Sequence, residues 1–492
     1  MDNITSRHIS RRSFAGLMGM SVISAAAFAT LSGFRDAEKI AATHDYDVVI
    51  IGSGGAGTSA AAFAAQAGAK TICLEKLAWQ GGSSSLALGT FYGSGTVQQK
   101  ELGIEDTPED LYNYFMKSGG QYVSAEMNRF MADHAGETID WLREDLKVPF
   151  KDTIKGNGTD KVQRGHMCAN AAIDALTAVR ALADGNGAEF RFNCAAEALI
   201  KDDSGRIVGV KTRTDKGVEV YNAKTVIVAS GGFARNEQMI EQYCPDFEGV
   251  YTEVGVGLMG DGVRMGLDAG AAYYGNGGVN GILACQVDPG QSSLINKNTL
   301  WVNSQGERFA NEAGESHFIF YTVAKYPDQH FYAIYDQDMV DALKDAQKGS
   351  FQHGLEMGIF AQGDTVEEAA AKLGIDASAT QQAWDAYNAM AEAGEDTLFH
   401  KKAEMLSPHT KAPYYVLTMG VCTHGTFGGL QTNTDFQVLD NDGNVIPGLY
   451  SAGEVCCGTF IYQNYQAGGC GLNFSYTSGR FAGANAANEA LA

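Results

Sequence analysis

An α/β fold is predicted by three observations on this 492-residue chain. An apolar, β-branched run at 48–51 ends in Gly52-Ser53-Gly54-Gly55-Ala56-Gly57, passes into an alanine-rich run at 56–66, and is followed by a second apolar run at 70–74. From about 240 to 400 the character changes: Gly, Tyr and Asn dominate 251–290, and helical patterns follow around 335–347 and 365–395. After 413 strands and turns return, with a run at 436–440, the turn Asn441-Asp442-Gly443, a run at 446–454, and a closing helix at 471–490. The pattern is that of an α/β unit interrupted by an inserted domain.

The first stretch carries the most chemistry. A short β-branched run bounded by glycine reads as a buried parallel strand. Gly52 then permits the tight turn, Gly54 lets the backbone approach a pyrophosphate, and Gly57 lets the helix pack closely on the strand. The helix N-terminus offers free amides and a positive dipole end to the phosphates. The second strand delivers Glu75 to where a ribose hydroxyl would sit. Strand, glycines, helix, strand and acid in this order predict dinucleotide binding. Gly81-Gly82-Ser83-Ser84-Ser85 follows, and paired glycines before hydroxyls can wrap a second phosphate.

Composition narrows the partners. The formal net charge of −22 argues against nucleic acid and against an anionic membrane surface. The nine cysteines include no C-x-x-C and no C-x-x-C-H, so no zinc, iron–sulfur or c-type haem site is expected, and the thiols read as buried and free. At the N-terminus Arg7, Arg11 and Arg12 precede an apolar stretch over 14–34, with Ala27-Phe28-Ala29 as a cleavage site. Ser10-Arg11-Arg12-Ser13-Phe14 resembles the twin-arginine export signal, which moves proteins already folded around a cofactor. The alternative is an uncleaved anchor helix.

The other elements follow in order. Residues 106–147 read as helical, started by Thr107-Pro108-Glu109-Asp110, and 171–183 as an amphipathic helix. Runs at 192–200 and 207–211 flank the hairpin signature Asp202-Asp203-Ser204-Gly205, and 225–229 is a further buried strand. The boundaries expected are 1–40 for signal and spacer, 41–240 for the first part of the nucleotide-binding domain, 241–405 for a capping domain, and 406–492 for the second part.

These landmarks in this order resemble the flavoprotein family that contains fumarate reductase, succinate dehydrogenase and the 3-ketosteroid dehydrogenases. The resemblance implies a Rossmann-type FAD-binding domain made from both ends of the chain, with an inserted α+β capping domain and the active site between them. Carried over position by position, Gly52, Gly54, Ala56, Gly57 and Glu75 are the ADP-binding residues. Gly82, Ser83, Ser84 and Gly89 match the pyrophosphate and ring loop, and Ala196 an adenine-side backbone contact. Asp261 and Glu454 match further FAD contacts, and Gly471 and Leu472 match backbone contacts to the ring at the start of the last helix. Quinone-linked members tether FAD through a histidine beside the double glycine; serines occupy that region here, so non-covalent FAD is expected.

Fumarate reductases use three cationic groups that this chain lacks. The position of their proton-donating arginine, counted from Arg308, is Ser316, and their two carboxylate clamps fall on Gly425 and Gln466. A desolvated dicarboxylate needs charge-assisted partners, so fumarate is not the expected substrate. The loop Asn464-Tyr465-Gln466-Ala467-Gly468-Gly469 instead resembles that of ketosteroid dehydrogenases, where a tyrosine hydroxyl and a glycine amide hold a ketone oxygen; the matching groups are Tyr465 and Gly469. The steroid enzymes place a tyrosine at Ser316, so His317 beside it is the candidate for proton transfer, with His424 a further one. Arg308 and Glu312 read as a structural pair. The expectation is an exported FAD enzyme reducing a double bond conjugated to a carbonyl, an enone or acrylate. An external donor such as a membrane quinol-oxidising cytochrome would feed it, in anaerobic respiration. The reverse dehydrogenase and a non-catalytic electron carrier are the alternatives.

Overall fold

The computed structural model describes residues 40–120, 122–157, 160–288 and 293–492. The export signal read in 1–40 therefore lies outside the described residues, except for Ile40, where the first strand begins.

Strand β1 (Ile40–Ile51) is parallel to β2 (Thr71–Leu74), with Val48 opposite Thr71 and Ile51 opposite Leu74. It is longer than the predicted run because its first half pairs in parallel with Gly217–Val228, a strand whose ladder begins before the apolar stretch. The sheet continues outward through Val445–Ser451 and Gln437–Leu439 on one side and Glu189–Arg191 on the other, while the hairpin Ala195–Lys201/Ile207–Thr214 joins along Gly217–Val228. Val445–Ser451 comes from the far end of the chain and lies parallel to Gly217–Val228, so both ends of the sequence build one sheet.

Helix α1 (Gly55–Gln66) explains its alanines by position: ten of its twelve residues are buried between the sheet and the C-terminal helix Cys470–Leu491. A Cβ on Gly479 or Gly483 would meet the backbone of Ala56 or Ala60, so the two helices pack backbone to backbone. Added atoms in so close a contact force shifts costing about 1–3 kcal/mol.

The helical region at 106–147 is two helices, Pro108–Gly119 and Ala125–Asp140, the second running into a wider turn at Trp141–Asp145. Thr107 caps the first through the Asp110 amide and Ser124 caps the second through the Met127 amide; this second cap, with Gly120 before it, breaks the predicted single helix. The inserted segment carries an antiparallel sheet of Tyr273–Cys285, Trp301–Val302, His330–Tyr335 and Phe360–Gly363, completed by Tyr414–Leu430. That last strand begins beyond the 405/406 boundary yet pairs with three of those strands. All nine cysteines are buried and free. Among the described residues no helix is long and apolar enough to cross a membrane.

Candidate active site

A cleft of about 1240 Å³ runs between the main sheet and the cap. One end of it is built by the turn after β1. At Gly52 φ is +98° and a Cβ would lie 2.6 Å from the Ala229 carbonyl oxygen, so only glycine makes this turn. A Cβ on Gly57 would run into the Gly52 carbonyl oxygen, which is how α1 comes to sit against the strand. Gly54 lines the cleft and its Cβ would meet protein atoms only beyond 3.7 Å, so a side chain there would fill the cleft itself. Gly82, with φ +49° and nothing within 4 Å of a Cβ, is a second such position. The cradle thus fits a diphosphate approached by bare backbone.

Side chains hold this cradle in shape. Glu75 is buried and accepts from the Ser53 amide at 3.0 Å, the Ser53 hydroxyl at 2.8 Å and the Leu77 amide at 3.0 Å. Its carboxylate is thereby fixed on the cleft wall. Ser84 Oγ accepts the Gly55 amide at 3.0 Å and Ser83 Oγ accepts the Gly255 amide at 3.0 Å, so each hydroxyl keeps its proton for a phosphate or flavin oxygen. Gly89, Ala196, Gly471 and Leu472 line the same cleft. Asp261 also lines it, with its Oδ2 held 2.6 Å from Lys76 Nζ.

Glu454 accepts from the Thr426 amide at 2.9 Å and the Thr426 hydroxyl at 3.3 Å. Burial pushes its pKa up to about 7 even though the Thr426 and Gly232 amides pull the other way. Gly425, at the position of a fumarate reductase histidine, has φ +144°, and a Cβ would lie 2.9 Å from Glu454 Oε1. A side chain is excluded there on two grounds. Gln466 is buried and turns its amide onto the Phe460 carbonyl at 2.9 Å, so it backs the loop.

Tyr465 also lines the cleft, its ring stacked on Phe427 with centroids 5.6 Å apart. Its hydroxyl accepts the Gly471 amide at 3.0 Å and the Gly469 amide at 3.3 Å. This differs from the expected arrangement, in which the Gly469 amide is open to substrate and the Gly471 amide to the flavin ring. The physical reason is the tight start of the last helix, with Gly469 at φ +105°, which turns both N–H groups onto the phenol oxygen. With both lone pairs engaged, the hydroxyl has only its proton left to offer outward.

The helix Ser316–Ala324 brings its first residues, Ser316 and His317, to the cleft wall. His317 packs against Phe318 with ring centroids 4.1 Å apart, and burial lowers its pKa, opposed by nearby Glu315. His424 also lines the cleft, with Nε2 3.9 Å from the Glu253 carboxylate. Arg308 and Glu312 do pair, inside a buried cluster that adds Asp396 and Lys401. The sequence reading missed Lys297. It sits in the polar run Asn296-Lys297-Asn298, without periodicity or motif, and only the fold brings it to the cleft wall, where its Nζ donates to the Gly314 carbonyl at 3.0 Å.

Residues 47–472 match the family model described as FAD binding domain. Urocanate reductase of Eggerthella lenta is 32% identical over 457 residues, covering 90% of this chain and 75% of that protein. Among solved structures, the open conformation of a flavocytochrome c3 fumarate reductase superposes with a TM-score of 0.77 at 28% identity, over 91% of this chain and 79% of that one. The 3-ketosteroid-Δ4-(5α)-dehydrogenase of Rhodococcus jostii RHA1 gives a TM-score of 0.77 at 27% identity, over 90% and 97%. The glycine cradle, the cleft and these similarities agree: the chain belongs to the FAD-binding family of fumarate reductase-like flavoproteins and ketosteroid dehydrogenases, and is an FAD-dependent oxidoreductase acting on carbon–carbon bonds.

Proposed function

We propose that this enzyme reduces a carbon–carbon double bond conjugated to a carbonyl group, of the enone or acrylate type. The observation that carries this reading is the Tyr465 hydroxyl, which accepts two backbone amides and so directs its own proton into the cleft. Accepting two N–H groups polarises the O–H. A donor fixed where negative charge gathers on a carbonyl oxygen stabilises the enolate-like transition state. The cradle would hold FAD non-covalently, and the reduced cofactor would supply the hydride for the β-carbon. Gly52, Gly54, Ala56, Gly57, Glu75, Gly82, Ser83 and Ser84 would hold its ADP half, while Asp261, Glu454 and Leu472 would line the rest, the Gly471 amide being engaged by the Tyr465 hydroxyl. A group at Ser316/His317 hands a proton to the α-carbon. Burial keeps His317 neutral at neutral pH, which suits a relay better than a store of protons.

The electrons would come from an external donor such as a membrane quinol-oxidising cytochrome. The twin arginines at 11–12 support export, which would set the enzyme outside the cytoplasmic membrane, in anaerobic respiration. The reverse dehydrogenation is the second reading, favoured by the ketosteroid-dehydrogenase-like loop 464–469.

Photoreduction of the purified holoenzyme without oxygen, followed by addition of enones, acrylates and fumarate, tests the proposal. Reoxidation by an enone or acrylate and not by fumarate is expected. Reoxidation by none of them refutes ene reduction, and rapid reoxidation by fumarate overturns the reading of Ser316, Gly425 and Gln466.

A further inference from the structure

Four lysines line the cleft, and three of them have ordinary surroundings. Lys76 is paired with Asp261, while Lys117 and Lys155 are exposed at the rim. Lys297 is different. It is half-buried, its Nζ is hydrogen-bonded to one neutral carbonyl, Gly314 O at 3.0 Å, and no carboxylate stands within ion-pair distance of it among the described residues. An ammonium has three donors, so donor capacity remains for a partner arriving in the cleft. A cation removed from water without a counter-ion is costly, and its lowered pKa has burial as its main cause, with Glu315 opposing. An arriving anion would relieve that cost.

The rest of this end of the cleft limits what the anion belongs to. Gly425 and Gln466 bring no charge to the positions where a second carboxylate would be clamped. Ile282, Phe320, Tyr321 and Phe427 line the wall with apolar surface. Resting on the ene-reductase reading above, the geometry points to Lys297 as the residue that binds a single carboxylate on an otherwise apolar substrate. The substrate class is then an aryl- or alkyl-acrylate monoanion rather than a neutral enone or a dicarboxylate. The saturated acid released has the same charge and occupies the same anchor.

The test uses oxidised holoenzyme and follows the flavin absorbance as saturated analogues bind: 3-phenylpropanoate, hexanoate and their methyl esters. Wild type is expected to bind at least one acid tenfold or more tighter than its ester, with the preference shrinking as salt rises. Lys297→Met should weaken acid binding tenfold or more and leave ester binding within twofold, and Lys297→Arg should keep the acid preference. FAD content and thermal midpoint check that the variants are folded; if the Met variant is not, the acid–ester difference and its salt dependence in wild type still decide. Equal affinity of wild type for acid and ester, no binding of either acid, or equal losses for both in Lys297→Met overturns the anchor. Charge-dependent binding without reoxidation of reduced enzyme by cinnamate or 2-hexenoate would leave the anchor standing and refute ene reduction. Reoxidation by neutral enones with no acid preference would do the opposite.

Discussion

Replacing Glu454 by glutamine should change how stability varies with pH, in a direction the structure dictates. The carboxyl is partly buried on the cleft wall, and its pKa rises from an ordinary 4.5 to about 7 on folding. Between those two values the folded protein holds the proton more tightly than the unfolded chain, so this group's contribution to stability falls as pH rises through the window. At about 1.36 kcal/mol per pH unit, the loss approaches about 3 kcal/mol above pH 7. A second buried group works the other way. His166 is held between the Thr96 hydroxyl and the Arg164 carbonyl, both at 2.8 Å, and burial lowers its pKa from 6.5 to about 4. A base with a depressed folded pKa contributes stability that is full above 6.5 and disappears as pH falls towards 4. The two slopes oppose each other over almost the same range, so wild type shows little of either. The assay is chemical denaturation of cofactor-free wild type, Glu454→Gln and His166→Asn at half-unit steps from pH 4 to 8. Glu454→Gln should gain about 3 kcal/mol relative to wild type between pH 4.5 and 7, and His166→Asn should gain relative to wild type as pH falls from 6.5 to 4. A pH-independent difference for either variant would refute the claim that its buried group titrates as described.

Two further outcomes are expected. Tyr465→Phe should slow reoxidation of reduced enzyme by substrate by about 10²–10³-fold, the cost of one oxyanion donor; stopped-flow absorbance checks this, and an unchanged rate would assign the ring to packing. Gly425→Ala should lower stability by roughly 1–3 kcal/mol, because φ +144° is strained for any side chain and the methyl group meets Glu454; a thermal midpoint equal to wild type would contradict that.

The nucleotide half was legible because its determinants are contiguous. From Gly52 to Glu75 each residue's job is set by neighbours a few positions away, and the structure finds the strand, the turn and the helix at their predicted places. Legibility fails where partners are remote. β1 extends back to Ile40 because Gly217–Val228 lies beside it, a pairing that leaves no local mark. Arg308 and Glu312 were readable as a pair four residues apart, but Asp396 and Lys401, which complete their cluster, come from beyond the cap helices. Tyr465 fails differently. Gly469 and Gly471 are close in sequence, yet which way their amides point is a matter of backbone torsion, and residue type alone leaves that open.

That last failure bears on the chemistry. A site with an open glycine amide and a tyrosine hydroxyl would offer a carbonyl two independent donors. The site found offers one, its O–H polarised by the two amides that it accepts while burial raises its pKa. Removing Gly469 from direct contact leaves less hydrogen bonding to hold a neutral ketone by its oxygen alone, so orientation of the substrate must come from elsewhere on the cleft wall. Lys297, on the wall beside Ser316 and His317, is positioned to supply it for a carboxylate. The chain has lost the cationic groups at the positions that fumarate reductases use. Under the proposed anchor, a cation brought in by a different loop would keep charge in the site while dropping the requirement for a second carboxylate, a shift in specificity that counting motif positions does not show.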